Sequence, residues 1–105
     1  MASCQIFEHP DLTPEKLDQV MAHVRATGPM MPEGARLLVA GRGDPGMRLI
    51  TIWDSDEARE RFVSERLSEA YDEAGLSLDR GRATVFEVFK LVAGDLTDAP
   101  QRASA

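Results

Sequence analysis

Hydrophobic positions along this chain form short strand-length runs, separated by two segments with helical spacing. The runs cover residues 5–8, 36–40, 47–53 and 83–92, and most are rich in the β-branched and aromatic residues that favour strands. Apolar residues recur every three or four positions over 17–24 and 63–74. The pattern therefore predicts the order strand, helix, strand, strand, helix, strand.

Both helical segments carry start and stop signals. Thr13 is a good N-cap for the first helix, and Gly28 is a typical end signal. The second helix is expected to start at Asp54 or Ser55, since both residue types cap helices, and to end at Gly75. These boundaries place the two helices between strands one and two and between strands three and four.

This order predicts an α+β fold of the ferredoxin-like type, in which an antiparallel sheet carries both helices on one face. The segment 41–46 is dense in turn residues and is predicted to be a hairpin loop between the second and third strands. We expect one domain over residues 1–93 and a polar, flexible C-terminal tail over 94–105.

The strands are apolar on both faces, although a sheet with one face in water should alternate apolar and polar residues. Residues 37–39 are consecutive apolar residues. In the last run, positions 85, 89 and 91 point one way and positions 86, 88 and 92 point the other, and all six are apolar. We expect a second copy to pack on the free face, burying roughly 1,600 Å² in a two-fold homodimer. The alternative is that the tail covers this face.

Composition restricts the classes of partner. The chain has 18 acidic and 12 basic residues and a formal net charge of −6, which argues against nucleic acid and anionic membranes as partners. No apolar run approaches the roughly 20 residues of a membrane helix, and the first ten residues lack a secretory signal pattern. Cys4 is the one cysteine, so no internal disulfide is possible. These features predict a cytoplasmic protein.

Three segments resemble a known superfamily. They are the strand end and helix start over 53–62 (WDSDEARERF), the closing strand 85–88 (VFEV) and the loop 41–46 ahead of the third strand. Together they resemble the dimeric α+β barrel superfamily, and within it the antibiotic-biosynthesis-monooxygenase type. The resemblance covers about residues 3–92 and departs from the pattern in two respects. Many members carry a histidine early in the second helix, where this chain has none, and the chain contains no asparagine.

The resemblance implies a small-molecule enzyme, with several reactions represented in the superfamily. Members include quinone-forming monooxygenases that use O₂ without metal or flavin, haem-degrading enzymes, polyketide cyclases, isomerases and proteins with no known activity. The expected substrate is a planar aromatic or polyketide-like compound, and no cofactor is expected. The two separated histidines lack the spacing of a metal site.

Two residues are candidates for catalysis. His23 lies at the edge of the first helix's apolar face, where a neutral imidazole could take a proton from a phenol or an activated C–H. The alternative is a surface histidine. Tyr71 flanks the apolar stripe of the second helix and could donate a hydrogen bond to a substrate oxygen, or could simply be a helix-edge residue with a solvated hydroxyl.

Five further residues are candidates for substrate binding: Trp53, His9, Arg36, Arg48 and Met31. Trp53 could stack on a flat substrate or be a core tryptophan. His9 could reach the same pocket or face solvent. The two arginines could hold a carboxylate or phenolate, or pair with glutamates of neighbouring strands such as Glu8 or Glu87. Met31, next to Met30, could form an adaptable lid or cover the core edge.

The leading hypothesis is a homodimeric barrel in which each subunit binds a planar aromatic compound and catalyses cofactor-independent oxygenation. Cyclisation or isomerisation on the same fold is the alternative chemistry. A second hypothesis is a non-catalytic ligand-binding or stress-related barrel, and a third is a structural dimer without a cavity. A cavity of roughly 300 Å³ or more, lined by His23 or His9, would favour the enzyme.

Overall fold

The computed structural model describes residues 2–94. Four strands and two main helical regions follow in the predicted order. The elements are β1 (Ser3–His9), α1 (Pro14–Thr27), β2 (Ala35–Arg42), β3 (Met47–Trp53), α2 (Asp56–Phe62), a π-helical turn (Val63–Leu67), α3 (Ser68–Glu73), a 3₁₀ turn (Leu78–Arg80) and β4 (Arg82–Glu87).

The strands form one antiparallel sheet in the order β2-β3-β1-β4. Side chains alternate between the faces, and the odd-numbered positions of β1 face the helices. Phe7 shows this, because its ring packs edge-on against Tyr71 of α3 at 6.1 Å between centroids. The ferredoxin-like α+β prediction is confirmed.

Local capping explains where the helices start and end. The Thr13 hydroxyl accepts a hydrogen bond from the Lys16 amide at 3.2 Å, and Pro14 occupies the first helical position of α1. Gly28 follows its last turn. The Ser55 hydroxyl accepts from the Ala58 amide at 3.1 Å, so Ser55 rather than Asp54 is the N-cap of α2. Within residues 2–94, neither capped helix nor α3 is long and apolar enough to cross a bilayer.

The second helical region is interrupted by a feature that periodicity did not predict. Its middle turn, Val63–Leu67, has π-helical hydrogen bonding between α2 and α3. A π turn inserts one extra residue per turn and often marks a functional site. It also rotates the faces of α2 and α3 relative to each other, so the residues on either side of it meet different parts of the sheet.

The core lies between this helical layer and the middle of the sheet. Val20 and Val24 of α1, Ala70 and Ala74 at the end of the second helical region, and Leu49 of β3 are all buried there. Burying side chains of this kind contributes about 1.5–3 kcal/mol for each valine or leucine. The far end of the sheet is different, because β4 is exposed along its whole length.

The sheet face opposite the helices carries two rows that run across all four strands and are apolar except for Thr84. Cross-strand pairing aligns Leu37, Ile52, Cys4 and Phe86 in the first row and Val39, Ile50, Ile6 and Thr84 in the second. Val39 and Phe86 are 46% and 50% exposed. We call these two rows the open face. It has the apolar character that the sequence predicted for the second side of the sheet.

The last strand is shorter than predicted. The pattern indicated a strand over 83–92, but β4 is Arg82–Glu87. Its partner β1 starts at Ser3, and the hydrogen bond from the Val88 amide to the Ala2 carbonyl, at 2.9 Å, is the last in this direction. Beyond this point β4 has no neighbouring strand among residues 2–94 to continue the ladder, and Phe89 is 96% exposed. The predicted tail lies, from residue 95 on, outside the described residues.

Candidate functional site

Two apolar cavities lie between the sheet and the helices. Cavity B has a volume of about 170 Å³ and is bounded by Gln5, Phe7 and Leu49 of the sheet and by Val63 and Leu67 of the π-helical turn. It is partly open to solvent, and no residue of the exposed strand β4 contributes to its wall.

Cavity A is smaller, at about 40 Å³. Leu38 of β2, Met21 of α1 and the loop residues Met30 and Met31 contribute to its wall. Three residues line both cavities: Thr51, Trp53 and Phe62. The two cavities are therefore neighbouring chambers around the end of β3.

Trp53 is at the centre of this arrangement. Its side chain is only 3% exposed, and its indole Nε1–H donates a hydrogen bond to Thr51 Oγ1 at 2.9 Å. Its ring packs against Phe62 with 5.5 Å between centroids and 37° between the planes. The hydrogen bond and the ring contact hold the indole in one orientation. Because Trp53 lines both cavities, its fixed ring forms an aromatic wall between them.

The cavity walls contain almost no polar chemistry. Gln5 and Thr51, which are cross-strand partners, bring an amide and a hydroxyl to cavity B. None of the residues lining either cavity has a side chain that titrates in the physiological range. The walls can therefore bind an apolar ligand and offer it one or two hydrogen bonds, but they supply no base.

His23 lies outside both cavities. Its Nδ1 is 2.8 Å from a carboxylate oxygen of Glu73, and its Nε2 is 4.0 Å from Glu69. These partners belong to α3, so the imidazole bridges α1 and α3. The proposed proton-transfer role of His23 stays a prediction, and the geometry gives it no contact with either cavity.

Tyr71 is also placed behind the cavity wall. It is fully buried, and its ring contacts those of Phe7 and His9 at 6.1 and 6.0 Å. The hydroxyl has no hydrogen-bond partner among the described residues. Burial raises the pKa of Tyr71 from 10.0 to about 12, because the phenolate would be poorly solvated. The proposed hydrogen bond from Tyr71 to a substrate stays a prediction, and the alternative of a helix-edge residue with a solvated hydroxyl is wrong.

Tyr71→Phe is expected to stabilise the protein at neutral pH by about 1 kcal/mol, because it removes a buried hydroxyl without a partner. Wild-type stability should also fall as the pH rises through 10 towards 12. The unfolded chain releases the phenol proton first, so it binds fewer protons than the native state. This loss reaches roughly 2–3 kcal/mol.

Urea unfolding of both proteins across this alkaline range measures the effect, and the difference between them isolates Tyr71. A phenylalanine variant that loses stability in parallel with the wild type would contradict the assignment. Tyr71 is the one tyrosine, so tyrosinate absorbance reports the same event independently.

His9 is a buried structural residue with both ring nitrogens engaged. Its Nδ1 accepts a hydrogen bond from the Asp11 amide at 3.1 Å, so Nε2 carries the proton and donates to the Ser77 carbonyl at 2.7 Å. The ring is 0% exposed and lines neither cavity A nor cavity B. His9 does border a third pocket of about 320 Å³, but that pocket is polar, open to solvent and lined by charged residues such as Arg80 and Arg82. It ties the end of β1 to the segment before the 3₁₀ turn.

The two arginines form ion pairs at the surface. The guanidinium of Arg48 lies 2.8 Å from Glu8 on the neighbouring strand, which is one of the two pairings that the sequence left open. Arg36 lies 2.5 Å from Asp54. Neither arginine reaches cavity A or B, so the structure does not bring them to a common ligand site.

Of the sequence-predicted residues, the structure brings together Trp53 and Met31, which both line cavity A. The sequence analysis missed Gln5, Thr51 and Phe62. A signal existed for the first two, because both are polar side chains at strand positions that face the helices. Phe62 had no such signal, since an apolar residue on a helix normally indicates core. No cluster of metal-ligating side chains is present between residues 2 and 94.

Solved structures share this architecture. A protein of unknown function from Nitrosomonas europaea matches with a TM-score of 0.58 at 14% identity, over 89% of this chain and 95% of that one. A Deinococcus radiodurans protein, provisionally named an antibiotic biosynthesis monooxygenase, matches with a TM-score of 0.55 at 20% identity, over 90% and 99%. The chain has the antibiotic-biosynthesis-monooxygenase fold.

This fold also includes SnoaB, a cofactor-independent oxygenase from Streptomyces nogalater, with a TM-score of 0.55 at 14% identity over 89% of this chain and 96% of that one. No family profile and no curated protein sequence matches the chain. At these identities the likeness establishes the antibiotic-biosynthesis-monooxygenase fold and leaves the chemistry to the site itself.

Proposed function

We propose that this protein binds an uncharged, planar aromatic compound in cavity B, against the ring of Trp53. The observation that carries the proposal is the composition of the cavity wall, which is apolar apart from Gln5 and Thr51. A buried wall of this kind favours a neutral ring and penalises a charged group, which would lose its hydration without gaining a partner.

The volume of cavity B sets the size of the proposed ligand. Its 170 Å³ is close to that of an engineered apolar cavity of about 150 Å³ known to bind benzene. It is below the roughly 300 Å³ at which pockets for drug-sized ligands begin. The proposed ligand is therefore a single aromatic ring with small substituents, one of which can accept a hydrogen bond from the amide of Gln5.

Oxygenation is the second candidate, supported by the fold that the chain shares with the cofactor-independent oxygenase SnoaB. In such a reaction a CH₂ between activating groups loses a proton, and the carbanion reduces O₂. The carbon becomes a carbonyl and the second oxygen atom leaves as water, so the substrate supplies all the electrons. Because the wall of cavity B lacks a base, the substrate would enter neutral and lose this proton to water at the open side of the cavity, so the route suits a strongly activated CH₂. No cofactor or metal is part of the proposal.

We also propose that two copies pack through the open face. Its two rows span the sheet, and Val39 and Phe86 are 46% and 50% exposed in the single chain, while Ile6 and Ile50 between them are partly exposed. A contiguous apolar surface of this extent is unusual on a monomer. None of the residues lining cavity B belongs to the open face, so this face can pack against a second copy without covering cavity B.

The ligand proposal is tested by titrating the protein with para-cresol and with benzoate. Fluorescence of Trp53, the one tryptophan, reports binding directly, and calorimetry provides a second measurement. Para-cresol is expected to bind, and benzoate at least about tenfold more weakly, because its carboxylate finds no cation in the wall.

A matched pair of variants locates the site. Leu67→Phe fills cavity B and should weaken para-cresol binding at least about fivefold, whereas Leu17→Phe adds the same volume at a half-buried position that lines neither cavity. Equal binding of benzoate and para-cresol, or equal effects of the two variants, would refute the proposed site.

A further inference from the structure

Cavities A and B are separated by two aromatic rings. Trp53 and Phe62 line both chambers and pack against each other at 5.5 Å between centroids. The indole is fixed by its hydrogen bond to Thr51, whereas Phe62 has no polar group to fix its ring. Phe62 is also half-buried, at the junction between α2 and the π-helical turn. Of the two rings, Phe62 is thus the one that can move.

Arg66 holds the Phe62 ring in place. Its guanidinium carbon lies 5.3 Å from the centroid of Phe62, within the range of a cation–π contact. The same guanidinium donates to the carbonyl oxygens of Val24 at 2.6 Å and Pro29 at 2.8 Å. These carbonyls belong to the last turn of α1 and to the loop after it, where backbone acceptors lack helical partners.

The loop held by Arg66 is part of the site. It continues into Met30 and Met31, which line cavity A. The Arg66 side chain therefore links the Phe62 ring, the π-helical turn and the wall of cavity A. Space around the guanidinium is tight, since a Cβ added at Gly28 would lie 3.0 Å from it. The backbone at Gly28 therefore leaves the guanidinium little room to move on that side.

We infer that Phe62 is the residue that limits ligand size and that Arg66 is its positioning residue. With the ring in place, cavity B accepts one aromatic ring. With the ring displaced, cavities A and B join along the face of Trp53 and admit a flat compound of two or three fused rings. This inference rests on the proposed function, because it concerns the same ligand site and extends its substrate class.

The first experiment compares para-cresol with anthrone, which has three fused rings and is uncharged. In Phe62→Ala, affinity for anthrone is expected to rise roughly tenfold, as one more ring leaves water, while affinity for para-cresol changes less than about threefold. Arg66→Met should also raise the affinity for anthrone, by roughly threefold, which corresponds to the loss of one cation–π contact. Phe62→Leu serves as a second variant if the alanine variant fails to fold.

A second measurement needs no ligand. Trp53 is 3% exposed, so acrylamide quenches its fluorescence only when a path to the indole opens. Phe62→Ala and Arg66→Met are expected to raise the quenching constant at least about twofold, since local opening governs access to a buried group. Arg66→Lys should also raise the quenching constant above that of the wild type, because lysine lacks the planar guanidinium that donates to two carbonyls at once. Arg61→Met, an exposed arginine of α2 that lines neither cavity, is the matched control and should leave it unchanged.

The outcomes separate the two ideas. Failure of para-cresol to bind the wild type would overturn the proposed function. Acrylamide quenching of Trp53 would still decide whether Phe62 and Arg66 together separate cavities A and B. Para-cresol binding with unchanged anthrone affinity in Phe62→Ala would overturn the inference alone. Unchanged quenching in both Phe62→Ala and Arg66→Met would also overturn it.

Discussion

Trp53→Ala is expected to lower the free energy of unfolding by about 3–5 kcal/mol, a large part of the roughly 5–15 kcal/mol typical of a native domain. The indole is 3% exposed, packs on Phe62 and donates to Thr51 Oγ1. Its removal joins cavities A and B into one void. The surrounding elements cannot fill this void, because the sheet and the loop that Arg66 holds at Pro29 fix the walls. Urea unfolding followed by far-ultraviolet circular dichroism measures the change.

Trp53→Phe is the control for this prediction. It keeps an aromatic ring against Phe62 and loses only the indole hydrogen bond and part of the volume, so it should cost about 1–2 kcal/mol. An alanine variant within about 1 kcal/mol of the wild type would show that the indole contributes little to packing, and the central place given to Trp53 would then be wrong.

Ile50→Glu is expected to convert the proposed dimer to monomers, with at least about a hundredfold increase in the dimer dissociation constant. Ile50 lies in the middle of the open face, between Val39 on β2 and Ile6 on β1. In a two-fold interface the substitution buries two carboxylates in a largely apolar patch, where the neighbouring cation on the same face, Arg48, is already paired with Glu8. The fold of each subunit should persist, because the new side chain faces away from the helices.

Sedimentation equilibrium across a range of concentrations measures the shift, and circular dichroism checks the fold. Ser64→Glu adds the same charge at an exposed position in the π-helical turn and should leave the association state unchanged. A wild type that sediments as a monomer at every concentration would remove the dimer proposal. A glutamate variant that remains dimeric would place the interface on another surface.

The order of elements could be predicted from the sequence because each boundary has a local cause. Thr13 and Pro14 start α1 through a side-chain cap and a fixed φ, and Gly28 ends it. The glycine-rich loop after Arg42 closes the hairpin, with the Gly43 amide donating to the Gly46 carbonyl at 2.7 Å. Such signals act within a few residues, so one sequence is enough to recognise them.

The errors concern features that depend on distant partners. The end of β4 is set by where β1 starts, and no property of residues 88–92 reveals that limit. The π-helical turn adds one residue to a helix whose apolar spacing still fits an ordinary α-helix. In the same way, His23 lies at a helix edge that faces α3 and its carboxylates, although its position along α1 was equally compatible with the sheet side.

The candidate site was only partly predictable for a similar reason. Trp53 marked the end of β3, and its place at the cavities follows from the strand–helix junction. The roles of Gln5 and Phe62 depend on which residues the sheet register and the π-helical turn place opposite one another. Titratable residues were favoured because they carry chemistry, whereas the wall of cavity B is neutral.

The π-helical turn has a consequence for how this protein can evolve. Val63 and Leu67, its first and last residues, both line cavity B. Deleting one residue there would restore α-helical geometry and rotate one flank by about 100° relative to the other. Point substitutions change a wall by single groups, but such a deletion would present a different set of side chains in one step. Ligand preference in relatives of this chain can therefore diverge through changes in length within this turn, while the sheet and its register remain constant.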